Sequence, residues 1–276
     1  MDPKTDMPST DTPDAREVKA CCAAAYQSDW ARLLLGEIFH PGGMALTERL
    51  GSLLGLGPGK RVLDVAAGQG ASAIFLAKRF GCEITGVDYG EDAIRKATQV
   101  AEMAGVAHLA RFEQGDAEHL AAADEMFDAV ICECAFCTFP NKRAAASEFA
   151  RVLRPGGRVG LSDLTRAGMV SPELQGLLAW IACIADAQPL DQYAQYLAGA
   201  GLSVDLIEPH DTALSEMVHE IRTRLLGAEL LVKLKRVDLP GVDFDQAKTL
   251  ARAAAHAVKA GQFGYALVTA TKPLFR

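Results

Sequence analysis

Arg61-Val62-Leu63-Asp64-Val65-Ala66-Ala67-Gly68-Gln69-Gly70-Ala71 is the stretch that decides the architecture. Residues 61–66 form a short apolar, β-branched run that reads as a buried strand, and Gly68-Gln69-Gly70 turns it into the helical pattern of 71–80. Glycines at a strand-to-helix turn let backbone approach a ligand with no Cβ in the way. The turn alone does not name that ligand. A dinucleotide fold wants Gly-x-Gly-x-x-Gly, and the third position here is Ala73, a permitted variant, so NAD stays open at this point.

Working outward, the runs 83–88, 110–115, 129–134 and 158–163 read as further strands. Between them 91–104 and 142–153 join 71–80 in carrying apolar residues at i, i+3 and i+4. That alternation predicts a parallel sheet covered by helices on both faces. Helices follow at 172–186 and 190–200, then strands at 202–208 and 265–272 that should pair as the closing edge. The last two strands are separated by about 55 residues with helical patterns at 215–232 and 245–260. That is too long for a hairpin and too periodic for a structureless loop, so it reads as a helical insertion. A further helical segment at 16–37 would form part of a lid, and there is no internal repeat.

Composition narrows the function. The chain has 276 residues, half of them hydrophobic, enough for a sizeable core. A formal charge of −7 without a Lys/Arg-rich run argues against a nucleic-acid partner. The first 14 residues are polar, and no apolar run reaches the roughly 18 residues that span a bilayer, which points to a cytoplasmic protein without a membrane partner. Seven cysteines, an odd number, are expected to stay reduced.

Gly86-Val87-Asp88 ends the second strand about 20 residues after the first turn, where a carboxylate can accept both ribose hydroxyls. It is followed by Gly115-Asp116-Ala117, Phe127-Asp128-Ala129-Val130 and Leu153-Arg154-Pro155-Gly156-Gly157-Arg158. In that order these motifs resemble the class I S-adenosylmethionine (SAM)-dependent methyltransferases. The resemblance implies an α/β Rossmann-like fold: a seven-stranded, mostly parallel sheet with an antiparallel closing strand, a helical N-terminal lid, and a helical insertion before the last strand. The expected division is a disordered tail 1–15, a lid 16–58, the SAM-binding domain 59–212 with 262–276, and the insertion 213–261. Carried over by resemblance, Asp64, Ala66, Gly68 and Gly70 line the methionine end, Asp88 and Tyr89 bind ribose, and Asp116 and Ala117 face adenine. Cys132 matches the position whose backbone holds the methionine amino group. Ala66 and Ala67 depart from the usual motif, Ala66 standing where its first glycine would be. The segment from Leu35 to Gly43, with His40-Pro41-Gly42-Gly43, resembles one that closes over the methionine part, which makes Gly43 a cofactor-binding candidate. A plain Pro-Gly turn ending a helix is the alternative.

Methyl transfer from a sulfonium is an in-line displacement, so the residues above the methyl define the acceptor. Those should be the loop Cys132-Glu133-Cys134-Ala135-Phe136-Cys137-Thr138-Phe139-Pro140, the lid, and Cys21-Cys22. Structural zinc would need a second paired knuckle beside Cys134 and Cys137, so no metal is expected, and Cys82 reads as core. Trp180-Ile181-Ala182-Cys183-Ile184 with Tyr193 resembles the arsenite methyltransferases, in which a cysteine at the Cys183 position helps bind trivalent arsenic. Cys183, Cys134 or Cys137, and Cys21 or Cys22 would then hold a thiophilic acceptor, namely arsenite, sulfide, selenide or a thiol. The family's further cysteine beyond the sixth strand is absent, and His210 stands there. The competing reading is O-, N-, C- or S-methylation of a small organic metabolite with Asp163, His40, His210 or His219 as proton acceptor. A non-catalytic SAM-binding module is the third reading. Each implies a small-molecule partner, and a homodimer stays open.

Overall fold

The computed structural model describes residues 19, 20, 23, 40–168, 174, 186–239 and 242–274. The expected tail 1–15, most of the helical segment expected at 16–37 as part of the lid 16–58, nearly all of the helix expected at 172–186, and Cys21, Cys22 and Cys183 lie outside the described residues.

The described chain runs α1 (Gly43–Leu53), β1 (Arg61–Val65), α2 (Ala71–Phe80), β2 (Glu83–Asp88), α3 (Glu91–Met103), β3 (Ala110–Gln114), β4 (Phe127–Glu133), α4 (Lys142–Val152) and β5 (Leu153–Arg166). It continues with α5 (Leu190–Gly199), β6 (Ser203–Pro209), α6 (Asp211–Lys233), α7 (Phe244–Lys259) and β7 (Phe263–Thr271). Seven strands form one sheet in the order β3-β2-β1-β4-β5-β7-β6, with β7 antiparallel to both neighbours and the other strands parallel. This is the class I methyltransferase fold. The strand order reverses between β1 and β4, and in open α/β sheets ligands bind beyond the carboxyl ends of the strands at such a point.

The central strands are apolar because helices cover both their faces. Val62, Leu63, Val65, Val130, Ile131, Val159 and Leu161 are buried together, with Phe127, Phe136, Phe149, Tyr193 and Tyr265 filling the layers around them. Helix ends follow local chemistry. Asn141 caps α4 by accepting from the Ala144 N–H at 3.0 Å, and Asp243 caps α7 by accepting from the N–H groups of Asp245 and Gln246.

Two of the motifs that carried the resemblance sit at the far end of the sheet from its carboxyl edge. The Asp128 carboxylate accepts from the Arg61 N–H at 2.8 Å and pairs with Lys60 at 3.4 Å and Arg154 at 2.5 Å. It ties the start of β1 to β4 and β5. Burial pushes its carboxyl up, but the Arg61 N–H and the Arg154 and Lys60 cations outweigh that and hold it below 3.8. These residues tie the strands together and are not part of the wall of the cleft at the opposite edge.

Several expected boundaries move. β5 spans 14 residues where 158–163 was expected, because β7 pairs with it from Arg158↔Thr271 to Arg166↔Phe263 and carries the ladder through Thr165 and Arg166. β4 begins at Phe127 because Phe127 pairs with Leu153. The insertion holds two long helices, and α6 begins at Asp211, whose carboxylate accepts from the Tyr265 N–H at 3.0 Å and anchors it to β7. No helix among the described residues is long and apolar enough to cross a membrane.

Candidate cofactor and acceptor site

A cleft opens at the carboxyl edge where β1 and β4 diverge. Its wall includes Asp64, Ala66, Gly68 and Gln69 from the first turn, Asp88 and Tyr89 after β2, and Gly115, Asp116 and Ala117 after β3. Glu133, Cys134, Ala135, Thr138 and Phe139 from the end of β4 and beyond it, with Lys19 and His40, also line it.

The first turn is held by its own backbone and by a neighbour. Ala67 N–H donates to Val87 O at 3.0 Å, and Gly70 N–H donates to Ala67 O at 2.9 Å. The Asp88 carboxylate accepts from Gly68 N–H and from Gly90 N–H, both at 2.8 Å, so it braces the turn and its own loop together. Burial raises the Asp88 carboxyl above its ordinary value, with those N–H groups pulling the other way.

Gly68 and Gly70 do different work. At Gly68, φ is +55° and an added Cβ would meet nothing within 4 Å, so the position is open to a ligand. At Gly70, φ is +80° and a Cβ would lie 2.6 Å from the Phe112 ring and 3.0 Å from Ala97, so this glycine lets α2 start against the sheet. Gly70 is not part of the cleft wall. Gly70→Ala should cost about 3 kcal/mol of stability in urea denaturation, combining left-handed strain with overpacking. Gly68→Ala should cost only about 1 kcal/mol while weakening the cofactor. Equal losses at the two positions would refute the distinction.

Ala66 and Cys134 are held at φ +60° and +51°, two of the four non-glycine residues among those described with positive φ. They lie just beyond the ends of the adjacent strands β1 and β4 and face the same cleft. Strained backbone of this kind collects where a site must be shaped.

Electrostatics marks one end of the cleft. Asp64 is buried, and burial, then the charges of Glu133 and Asp88, push its carboxyl well above 3.8. Its Oδ2 and the Gln69 Nε2 are the buried side-chain polar atoms without a hydrogen-bond partner among the described residues. An acceptor in a carboxylate-rich corner and an amide donor fit a ligand with a cationic centre beside a carboxylate. The methionine part of SAM, with its ammonium, carboxylate and sulfonium, has that pattern.

Beside Asp64 lies a buried polar chain in which His40 was an expected proton acceptor and Glu133 and Thr47 were not. The Thr47 hydroxyl sits 3.1 Å from both Glu133 oxygens and 3.3 Å from His40 Nε2, while His40 Nδ1 faces Pro41 O at 3.3 Å. Ser162 Oγ donates to Glu133 at 3.4 Å and is itself joined to the Tyr265 hydroxyl at 3.0 Å. Glu133 could have been found as the one charged residue closing the apolar run 129–133 at the carboxyl end of a parallel strand.

The other expected site residues fall as follows. Cys134 lines the cleft, whereas Cys137 is fully buried in the 3₁₀ turn Phe136–Thr138, its N–H donating to Asp163 Oδ2 at 3.0 Å. The thiols of Cys132 and Cys82 are buried, and Gly43 starts α1 outside the cleft wall while His40 reaches it. Asp163 also accepts from the Leu164 N–H and lies behind the wall. His210 pairs with Glu208 at 2.8 Å beyond the end of β6, and His219 is exposed on α6. No group of three or more His, Cys, Asp or Glu among the described residues could hold a metal ion.

A doubly wound sheet with this cleft and this charge pattern defines a SAM-dependent methyltransferase. Residues 62–157 match the family model described as a methyltransferase domain. Methyltransferase GfsG of Streptomyces halstedii is 30% identical over 84% of this chain and 81% of its own. The 27-O-demethylrifamycin SV methyltransferase of Amycolatopsis mediterranei is 31% identical over 83% of each. Arsenite methyltransferase of Halobacterium salinarum is 32% identical over 56% of this chain but only 40% of its own length. Phosphoethanolamine N-methyltransferase 2 of Haemonchus contortus, solved with SAM, superposes with a TM-score of 0.78 at 18% identity over 97% of this chain and 61% of that one, which speaks to the fold. The chain belongs to the class I SAM-dependent methyltransferases, and SAM is its cofactor.

Proposed function

We propose that the chain methylates a hydroxyl oxygen of a small organic molecule, with Glu133 as proton acceptor. The observation that carries this reading is the Glu133–Thr47–His40 chain opening on the cleft beside Asp64. Bound SAM supplies an electrophilic methyl group on a sulfonium. The residues of this chain then have three tasks. Asp64 and Gln69 hold the methionine end, Asp88 the ribose, and Asp116 the adenine. Glu133 takes the acceptor's proton as the O–CH₃ bond forms and the S–CH₃ electron pair returns to sulfur. The Thr47 hydroxyl can pass that proton to His40 Nε2, whose ring is held with Nδ1 against Pro41 O. The match to 27-O-demethylrifamycin SV methyltransferase over most of both chains supports oxygen as the acceptor atom.

Cys134 supports a second reading. One thiol faces the cleft, and a thiophilic acceptor such as arsenite would use it with Cys183 and Cys21 or Cys22. Cys137, packed in the core, is poorly placed to join that set.

The test is to incubate the reduced protein and SAM with 27-O-demethylrifamycin SV and other hydroxylated organic compounds, and separately with arsenite and glutathione. S-adenosylhomocysteine release and methylated products are then measured. Methyl ether formation is the expected result. Methylated arsenic that disappears in Cys134→Ser would replace the oxygen reading with the thiophilic one.

A further inference from the structure

Lys19 reaches the cleft from a helical residue 97 positions before Asp116. Its ammonium donates to Asp116 Oδ1 at 3.0 Å, to Asp116 Oδ2 at 2.8 Å and to Glu118 Oε2 at 2.7 Å. An ammonium has three donors, and these contacts commit it to the two carboxylates. Glu118 is anchored in turn, since its Oε1 accepts from the Asn141 N–H at 2.7 Å.

The acceptor capacity of Asp116 is nearly spent as well. A carboxylate offers about four lone-pair sites. Lys19 takes one on each oxygen and the Glu118 N–H takes a second on Oδ1 at 3.0 Å. Among the described residues this leaves about one site, on Oδ2, at a carboxylate that lines the cofactor cleft. Without the ammonium, Asp116 and Glu118 would be neighbouring like charges with no cation between them, and Asp116 would be held only through Oδ1 by the Glu118 N–H.

We infer that Lys19 is a positioning residue of the cofactor site: it fixes the Asp116 carboxylate in the rotamer and ionised form that accept a hydrogen bond from the adenine amine, and thereby makes the site selective for adenine over hypoxanthine. This rests on the reading that Asp116 faces adenine. Although burial pushes the Asp116 carboxyl up, the bond from Lys19, helped by the Glu118 N–H, holds it below its ordinary value, which keeps it an acceptor. The adenine end is thus completed by a residue remote in sequence from the βαβ unit that forms the rest of it.

The experiment measures, by calorimetry on the full chain, binding of S-adenosylhomocysteine and of S-inosylhomocysteine, in which the ring amine is replaced by an oxo group. The wild type should prefer the adenosyl form. Lys19→Met should lose about tenfold of that preference, the effect of loosening a charge-assisted hydrogen bond. Lys19→Arg should restore most of it. Lys19→Gln serves the same purpose if Lys19→Met melts at a lower temperature. Asp116→Asn is the control for the underlying reading. A lost preference in Asp116→Asn with wild-type preference in both Lys19→Met and Lys19→Gln overturns the role of Lys19. An unchanged preference in Asp116→Asn overturns the adenine assignment, and the proposal with it.

Discussion

Asp64→Asn is expected to weaken SAM binding by about 100-fold and, at neutral pH, to raise the melting temperature of the ligand-free protein by a few degrees. The first effect follows from the proposed role of Asp64 at the methionine end: the change removes a buried carboxylate whose Oδ2 has no hydrogen-bond partner among the described residues. The second follows from linkage. Burial, Glu133 and Asp88 raise the folded-state carboxyl well above 3.8, so the folded protein holds a proton that the unfolded chain has already released. The stability this contributes is fully present below pH 3.8 and is lost as pH rises through the raised value. Above that value ionised Asp64 destabilises the ligand-free protein, and a neutral amide of the same shape removes the penalty. SAM reverses the balance by favouring the charged form, so wild-type affinity should rise with pH and binding should release protons. Calorimetry in buffers of different ionisation enthalpy reads this directly. Asp64→Asn with wild-type affinity, or with a lower melting temperature at pH 7, would remove Asp64 from the methionine end.

Glu133→Gln should lower kcat by 100-fold or more while leaving the dissociation constant for SAM within about threefold, the range in which positioned proton acceptors contribute. The amide keeps the volume at the end of β4 and can still bond Thr47, so the fold should hold. His40→Gln should lose less, because His40 receives the proton second. A solvent isotope effect on kcat separates this role from a merely structural one: the wild type should show an effect that Glu133→Gln changes, because the proton is transferred as the methyl moves. A variant that keeps both kcat and that effect would show that the acceptor needs no base, as expected for an acceptor that is already anionic, including a thiolate.

Most of the fold was legible because each βαβ unit is a local object. The run 61–66, the turn at Gly68-Gln69-Gly70 and the pattern 71–80 signal a strand, a turn and a helix from residues in direct succession, and β1 and α2 form there. The same holds for β2 and α3. Legibility faded where an element depends on a partner far along the chain. Leu164-Thr165-Arg166 has no strand signal of its own and becomes strand because β7, about 100 residues later, pairs with it. Asp128 and Arg154 were readable as family markers, but not as the clasp at the opposite end of the sheet, since that depends on Lys60 and Arg61 lying beside them.

The site divides along the same line. The sequence by itself determined which edge of the sheet carries the cleft: the turn at Gly68 and the acidic residues Asp64, Asp88 and Asp116 at or just beyond the ends of successive strands necessarily lie along one edge of a parallel sheet. Only the tertiary structure decided the acceptor half. Cys134 and Cys137 are three residues apart and equivalent on paper, yet a left-handed residue followed by a single 3₁₀ turn sends one to the cleft and the other to the core. His40, Thr47 and Glu133 span 93 positions and share no motif. What joins them is the packing of α1 against the sheet, which places a hydroxyl between an imidazole and a carboxylate that no local periodicity could relate.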